Sequence, residues 1–126
     1  MTLREVKKIL NCTVVVGDEA LDMEVDMACG ADLMSDVLTF TKSGALLLTG
    51  LTNAQSVRAA EVADIKAVIY VRGKMPDNEA ISIAKESKIP LLSTKLYMFE
   101  SCGKLYKHGL IGISEYREVK NEYTAR

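Results

Sequence analysis

The pattern of apolar and polar positions changes period along the chain, and each change marks a predicted element. Near the N-terminus, apolar residues with helical spacing predict a first helix, for which Thr2 and Glu5 form a capping box. The β-branched run at 13–16 predicts a short strand that ends in a turn. An alternating segment at 24–28 predicts a second, half-exposed strand, and we expect Asp32 to cap a short helix after it.

The remainder of the chain is more regular. A continuous apolar run at 45–48 is typical of a strand buried on both faces, and 66–71 and 90–92 predict two further strands. The helices after these strands are predicted to open at Thr52, at Pro76-Asp77 and at Ser93-Thr94. A strand therefore recurs roughly every 22 residues with a helix between, as in βαβ units. The predicted fold is an α/β domain of three-layer type with a mainly parallel sheet.

Length and apolar content fit one compact domain. The chain has 126 residues, of which 48% are hydrophobic, and this is enough to build a core. We expect a single domain over 1–126, with its core at about 13–112. The charged tail at 114–126 carries Tyr116 and Tyr123, and its pattern fits a frayed helix, an edge strand or an arm onto a partner subunit.

Charge and cysteine usage exclude several classes of function. The formal net charge is -1, whereas a general nucleic-acid binder usually has a basic excess. No apolar run approaches the roughly 20 residues that span a bilayer, and the charged N-terminus does not fit a signal peptide, so we expect a cytoplasmic protein without a membrane partner. Cys12, Cys29 and Cys102 form no CxxC pair, and His108 is the single histidine, which disfavours a disulfide framework and a zinc site. No cofactor is expected.

Four predicted loops reach the edge where open parallel sheets bind ligands, outside the carboxyl ends of the strands. They lie at 28–32, 49–53, 71–74 and 93–95, and they carry glycines, hydroxyls, helix starts and cations. This combination suits a phosphate or a carboxylate, although it is neither a P-loop nor a GxGxxG motif. The residues predicted to line an anion site are Thr49, Gly50, Thr52, Asn53, Arg72, Gly73 and Lys74. The alternative is purely structural, because capping residues are expected at any helix start.

Three further candidates each have a structural alternative. Cys29 lies beside a glycine and near a predicted helix start, which could lower its pKa, although free cysteine is more often a buried apolar residue. Asp32 and Asp36 are one helical turn apart and could bind a cation together, although Asp32 also fits a helix cap. His108 fits a role in capping carbonyls at a helix C-terminus. With one histidine, no pair of nucleophile and base can be assembled, so we do not expect an enzyme.

The segment 46–106 resembles a DRTGG domain. The similar blocks are Leu47-Leu48-Thr49-Gly50, Arg58-Ala59-Ala60-Glu61, the strand that ends at Val71-Arg72-Gly73, and Ile89-Pro90-Leu91-Leu92-Ser93-Thr94. The block at 31–38 is also similar to the N-terminal domain of HPr kinase/phosphorylase. The Asp-Arg pair of the family is missing, because Leu51, Thr52 and Asn53 occupy that corner, and the second Thr-Gly-Gly is replaced by Val71-Arg72-Gly73-Lys74.

The resemblance implies an accessory or regulatory module, of the kind attached to CBS-domain pyrophosphatases and to acyl-phosphate or cobyrinate enzymes. Kinase activity is not implied, because the chain has no ATP-binding loop. Our first hypothesis is a homodimeric regulatory module that senses a small anionic ligand at the strand ends. The alternative is a protein-interaction subunit of a larger enzyme, without a small ligand. An enzyme that uses Cys29 is a third and weaker hypothesis.

Overall fold

The computed structural model describes residues 1–117, so most of the predicted tail, with Tyr123, lies outside the described residues. Within 1–117 there are six strands and five α-helices. The strands are β1 (Thr13–Val16), β2 (Met27–Gly30), β3 (Leu46–Thr49), β4 (Ala67–Tyr70), β5 (Leu91–Ser93) and β6 (Ile111–Gly112). The helices are α1 (Leu3–Leu10), α2 (Met34–Phe40), α3 (Ala54–Val62), α4 (Asn78–Ser87) and α5 (Met98–Lys107). No helix in this part of the chain has the length and apolar character needed to cross a membrane.

The strands form one sheet in the order β1-β5-β4-β3-β2-β6. The pairs from β2 to β5 are parallel, as is the pair of β2 with β6, and only β1 runs antiparallel to its neighbour β5. The predicted βαβ organisation is therefore confirmed. The second strand begins later than its alternation indicated, because Glu24 makes only an isolated bridge to Thr2, and β6 was not predicted.

The helices cover both faces of the sheet and make a three-layer domain. Apolar residues of α2, α3 and α4 pack on one face, together with strand residues such as Leu47 and Val68. Apolar residues of α1 and α5 pack on the other face, together with Leu48 and Ile69. Since neighbouring residues of a strand point to opposite faces, a sheet covered on both sides requires the continuous apolar runs seen in the sequence. The predicted fold class is confirmed.

The helix starts agree with the predictions in two cases. Thr2 and Glu5 form the expected capping box of α1, and the Asp77 side chain accepts a hydrogen bond from the Ala80 amide at the start of α4. Each cap satisfies amides that have no partner inside the helix.

Three predicted caps are wrong. Asn53, and not Thr52, caps α3 through the Gln55 amide. The N-cap position of α2 is Leu33, and Asp32 binds elsewhere. α5 starts after Tyr97, and the Thr94 hydroxyl donates a hydrogen bond to the carbonyl of Leu10.

Candidate functional site: the corner at Gly50

The four predicted loops do lie at one edge of the sheet. They follow β2, β3, β4 and β5, and these strands are parallel neighbours, so their carboxyl ends meet there. The corner after β3 is the best-defined cluster of charged groups at this edge, and we call it the Gly50 corner. It consists of Asp32, Thr49, Gly50, Arg72 and Lys74.

A carboxylate of the chain itself occupies the place predicted for an anion. The amide of Gly50 donates a hydrogen bond of 2.7 Å to Asp32 Oδ1, and the Thr49 hydroxyl lies 3.3 Å from the same oxygen. Gly50 does not have the positive φ of a glycine-requiring turn. A methyl group at Gly50 would instead lie 3.4 Å from Asp32 Oδ1 and 3.7 Å from Arg72 Nη2. Gly50 therefore sits between a carboxylate and a guanidinium.

Both predicted cations point to this corner. Lys74 Nζ donates a hydrogen bond of 3.0 Å to the carbonyl of Gly50. The guanidinium of Arg72 reaches Gly50 and also lies over the ring of Tyr97, 6.0 Å from its centroid, at the limit of a cation–π contact. One carboxylate and two cations give the corner a formal charge of +1, which favours an anionic ligand.

The backbone around Arg72 is fixed in an unusual conformation. Arg72 and Gly73 have φ values of 64° and 69°, a region in which a side chain such as that of arginine is uncommon. The amides of Arg72 and Gly73 donate to the carbonyls of Leu96 and Thr94. These bonds join the loops after β4 and β5, so the position of Arg72 is set by tertiary contacts.

The other predicted residues have structural roles. The Thr49 hydroxyl accepts a hydrogen bond from the Leu51 amide, and the Thr52 carbonyl accepts one from the Asp77 amide. The Asn53 carbonyl accepts a hydrogen bond from the Ser56 hydroxyl. The oxygen of this hydroxyl lies 2.9 Å from the buried hydroxyl of Tyr70. Ser56 already donates to Asn53, so Tyr70 donates to Ser56, and this chain anchors the start of α3 to the end of β4.

The sequence predictions missed two members of the site. Asp32 fits a local role as a cap, and its separation of 18 residues from Gly50 carries no periodic signal. Tyr97 is absent from the predicted site, although it is 60% exposed and lies under Arg72. An aromatic residue beside a cation in adjoining strand-end loops is the only signal that could have indicated it.

The remaining candidates separate from this site. His108 Nδ1 lies 2.7 Å from the Lys104 carbonyl, so its predicted role at the end of α5 is confirmed. Asp32 faces Gly50, whereas Asp36 lines a different cleft with Cys29 and Thr41, so the predicted carboxylate pair is wrong. In residues 1–117 no group of three or more His, Cys, Asp or Glu side chains could hold a metal ion.

The hypothesis of a lowered pKa at Cys29 is also wrong. Burial raises the pKa of this thiol, and a hydrogen bond with Thr41 only partly opposes the rise. Burial likewise raises the pKa of Cys102 and raises that of Cys12 from 9.0 to about 12. The fold therefore protects the thiols from ionisation, because removing them from water disfavours the thiolate.

Thiol alkylation should reflect this burial. At pH 7.5 we expect iodoacetamide to modify Cys12, Cys29 and Cys102 in the folded chain more slowly than it modifies free cysteine, since only the thiolate reacts. In urea the rates at all three should approach that of the free amino acid. Mass spectrometry of peptides over a time course gives each rate separately. A folded-state rate at Cys29 above that of free cysteine would contradict the prediction and revive the enzyme hypothesis.

Comparisons with known proteins agree with the fold. Residues 5–107 match the family described as DRTGG domain, a longer segment than the 46–106 of the sequence resemblance. The chain is similar to the crystal structure of the CBS and DRTGG domains of the regulatory region of Clostridium perfringens pyrophosphatase, complexed with the activator diadenosine tetraphosphate. The TM-score is 0.73 at 13% identity, and the similarity covers 98% of this chain but 58% of that one. No curated protein matches the sequence.

Proposed function

This chain belongs to the DRTGG domain family, and we propose that it is a cytoplasmic, homodimeric regulatory module, without catalytic activity, that senses a small anionic ligand at the strand ends. The observation that carries this proposal is the convergence of Arg72 and Lys74 on Gly50, where Asp32 holds the amide. The activator in complex with the pyrophosphatase regulatory region is diadenosine tetraphosphate. It supports a nucleotide or another phosphorylated compound as the class of ligand for this chain.

In this proposal the ligand competes with Asp32. A phosphate or carboxylate oxygen would accept the Gly50 amide in place of Asp32 Oδ1, and Arg72 and Lys74 would offset its charge. Asp32 lies two residues before the first residue of α2, so its release would free the connection between β2 and this helix. Ligand binding would then change the packing of α2 on the face of the sheet covered by α2, α3 and α4.

Ligand binding is testable by thermal shift. We expect a nucleotide or phosphorylated metabolite to raise Tm, since a ligand at 100 times its Kd stabilises the fold by about 2.7 kcal/mol. Arg72→Ala should abolish most of this shift. The matched control is Arg58→Ala, because Arg58 is an exposed arginine of α3 paired with Glu79, away from the corner. A full screen without any shift, or equal shifts in both variants, would contradict the sensing proposal.

The second candidate function is a protein-interaction subunit of a larger enzyme. It is favoured by large exposed apolar side chains at the same edge of the sheet: Leu33 and Tyr97 are 60% exposed and Phe99 is 86% exposed. Such groups are typical of interface anchors. If pull-down recovers an enzyme partner, and Phe99→Ser removes it while no ligand shifts Tm, this function is supported and the sensing proposal is wrong.

A further inference from the structure

The topology places a crevice beside the Gly50 corner, between β4 and β5. These strands are parallel neighbours, but the chain leaves them toward opposite faces of the sheet. After β4 it enters α4, which packs with α2 and α3, and after β5 it enters α5, which packs with α1. In open α/β sheets, adjacent connections that diverge in this way leave a crevice at the strand carboxyl ends, and ligands bind there.

An open cleft of about 450 Å³ lies beside the carboxyl end of β5, toward the connection from α1 to β1. Its walls are the loop after β4 with Gly73 and Met75, the loop after β5 with Lys95, and the connection from α1 to β1. Lys104 of α5 reaches it from the side. The volume is within the roughly 300–1,000 Å³ range of small-molecule sites. One predicted anion-site residue, Gly73, lines this cleft, and it follows Arg72 directly in the chain.

The charged side chains that line the cleft within the described chain are both cations. They are Lys95 and Lys104, and neither forms a salt bridge with another residue of 1–117. No carboxylate of the described residues lines the cleft, in contrast to the Gly50 corner, where a ligand has to compete with Asp32.

The end of α1 faces the cleft with its carbonyls largely satisfied. The carbonyl of Lys7 accepts hydrogen bonds from the amides of Asn11 and Cys12. The Leu10 carbonyl accepts a hydrogen bond from the Thr94 hydroxyl. These bonds reduce the negative potential that a helix C-terminus would otherwise present to an anion. The cleft is therefore better suited to phosphate than its position at the end of a helix would indicate.

The rest of the lining suits the non-phosphate part of a nucleotide. Met75 and Leu96 offer apolar surface, and the Asn11 amide and Thr13 hydroxyl offer donors and acceptors. The Ser93 hydroxyl is fixed by donation to the Lys74 carbonyl at 2.6 Å, which ties the loops on both sides of the crevice together. The lining of the cleft thus includes two lysines together with apolar and hydrogen-bonding residues.

We propose that the ligand of the regulatory module is a nucleoside phosphate held in this cleft, with its phosphate between Lys95 and Lys104 and its base against Met75 and Leu96. This rests on the proposed sensing function and gives it a seat beyond the Gly50 corner. Gly73 adjoins Arg72, so a longer phosphate chain would extend from the cleft toward that corner. Recognition then requires both parts of the ligand, and neither adenosine nor inorganic phosphate alone should bind well.

The test is calorimetric titration of the full chain with AMP, adenosine and inorganic phosphate. We expect AMP to bind, and adenosine and phosphate to bind at least tenfold more weakly. Lys95→Ala combined with Lys104→Ala should weaken AMP binding at least tenfold. The matched control is Lys85→Ala combined with Lys107→Ala, which makes the same change of net charge at positions outside the cleft. Equal loss in the two double variants would overturn the cleft proposal.

Arg72→Ala separates this proposal from the sensing function at the Gly50 corner. If Arg72→Ala abolishes AMP binding and the Lys95/Lys104 variant does not, the corner is the site and the cleft proposal is wrong. If only the Lys95/Lys104 variant fails, the cleft is the site. Amide chemical-shift changes in the wild-type chain on adding AMP should centre on Gly73, Ser93 and Lys95. Shifts confined to Gly50 and Leu51, or no binding of AMP, would overturn the cleft proposal without relying on any variant.

Discussion

Gly17→Ala is expected to lower the free energy of unfolding by about 2–5 kcal/mol. Gly17 has a φ of 95°, in a region that costs a residue with a Cβ about 1–2 kcal/mol. A methyl group there would lie 2.9 Å from Pro90 Cβ and 3.0 Å from Pro90 Cα, and overpacking of this kind adds about 1–3 kcal/mol. Pro90 cannot yield easily, because its carbonyl accepts the Val68 amide at the start of β5.

Gly109→Ala isolates the cost of backbone conformation alone. Gly109 has a φ of 104°, and a Cβ there would meet no atom within 4 Å, so we expect a loss of about 1–2 kcal/mol. Urea unfolding followed by circular dichroism gives both values. Equal losses in the two variants would show that the contact with Pro90 contributes nothing. A larger loss for Gly17→Ala would show that the contact with Pro90 adds to the cost of backbone conformation.

The central strands could be predicted from the sequence because burial on both faces requires a continuous run of apolar residues. β3 is buried at every position, and its run of apolar residues begins within one residue of the start of the strand. β6 could not be predicted in this way, because it has only two residues, and these pair with β2 only after the chain has crossed the domain. The antiparallel direction of β1 could not be predicted either, because the pairing of strands is set by packing between distant segments.

The candidate site was predicted in part, for a physical reason that Asp32 makes clear. An aspartate just before an apolar helical stripe fits a local cap, and a local rule assigns it to the nearest amides. In the fold the carboxylate finds the amide of Gly50 instead, because parallel strands bring distant loops to one edge. The cleft was harder to predict than the corner. Its lining, with Lys95 and Lys104, depends on the packing of α4 and α5 on opposite faces of the sheet.

Asp32→Ala is expected to destabilise the free protein and to tighten anion binding. The variant leaves the part-buried Gly50 amide without its charged acceptor, and loss of such a hydrogen bond costs about 1.5–3 kcal/mol. It also removes the group that competes with a ligand and raises the formal charge around Gly50. We expect a nucleotide with a longer phosphate chain, such as ATP, to bind about tenfold more tightly, equivalent to about 1.4 kcal/mol. Urea unfolding and calorimetric titration measure the two effects.

The opposite signs of these effects distinguish a regulatory carboxylate from a structural one. Asp36→Ala is the matched control, since it removes the same charge from α2 at a position lining a different cleft, and it should change both quantities little. Asp32→Asn keeps an acceptor for Gly50 without the charge, so it should recover most of the stability and keep part of the gain in affinity. If Asp32→Ala lost both stability and affinity, the carboxylate would only shape the corner. Tighter binding in a weaker fold is the result expected if Asp32 and the ligand exclude one another, which is the coupling that a sensor needs.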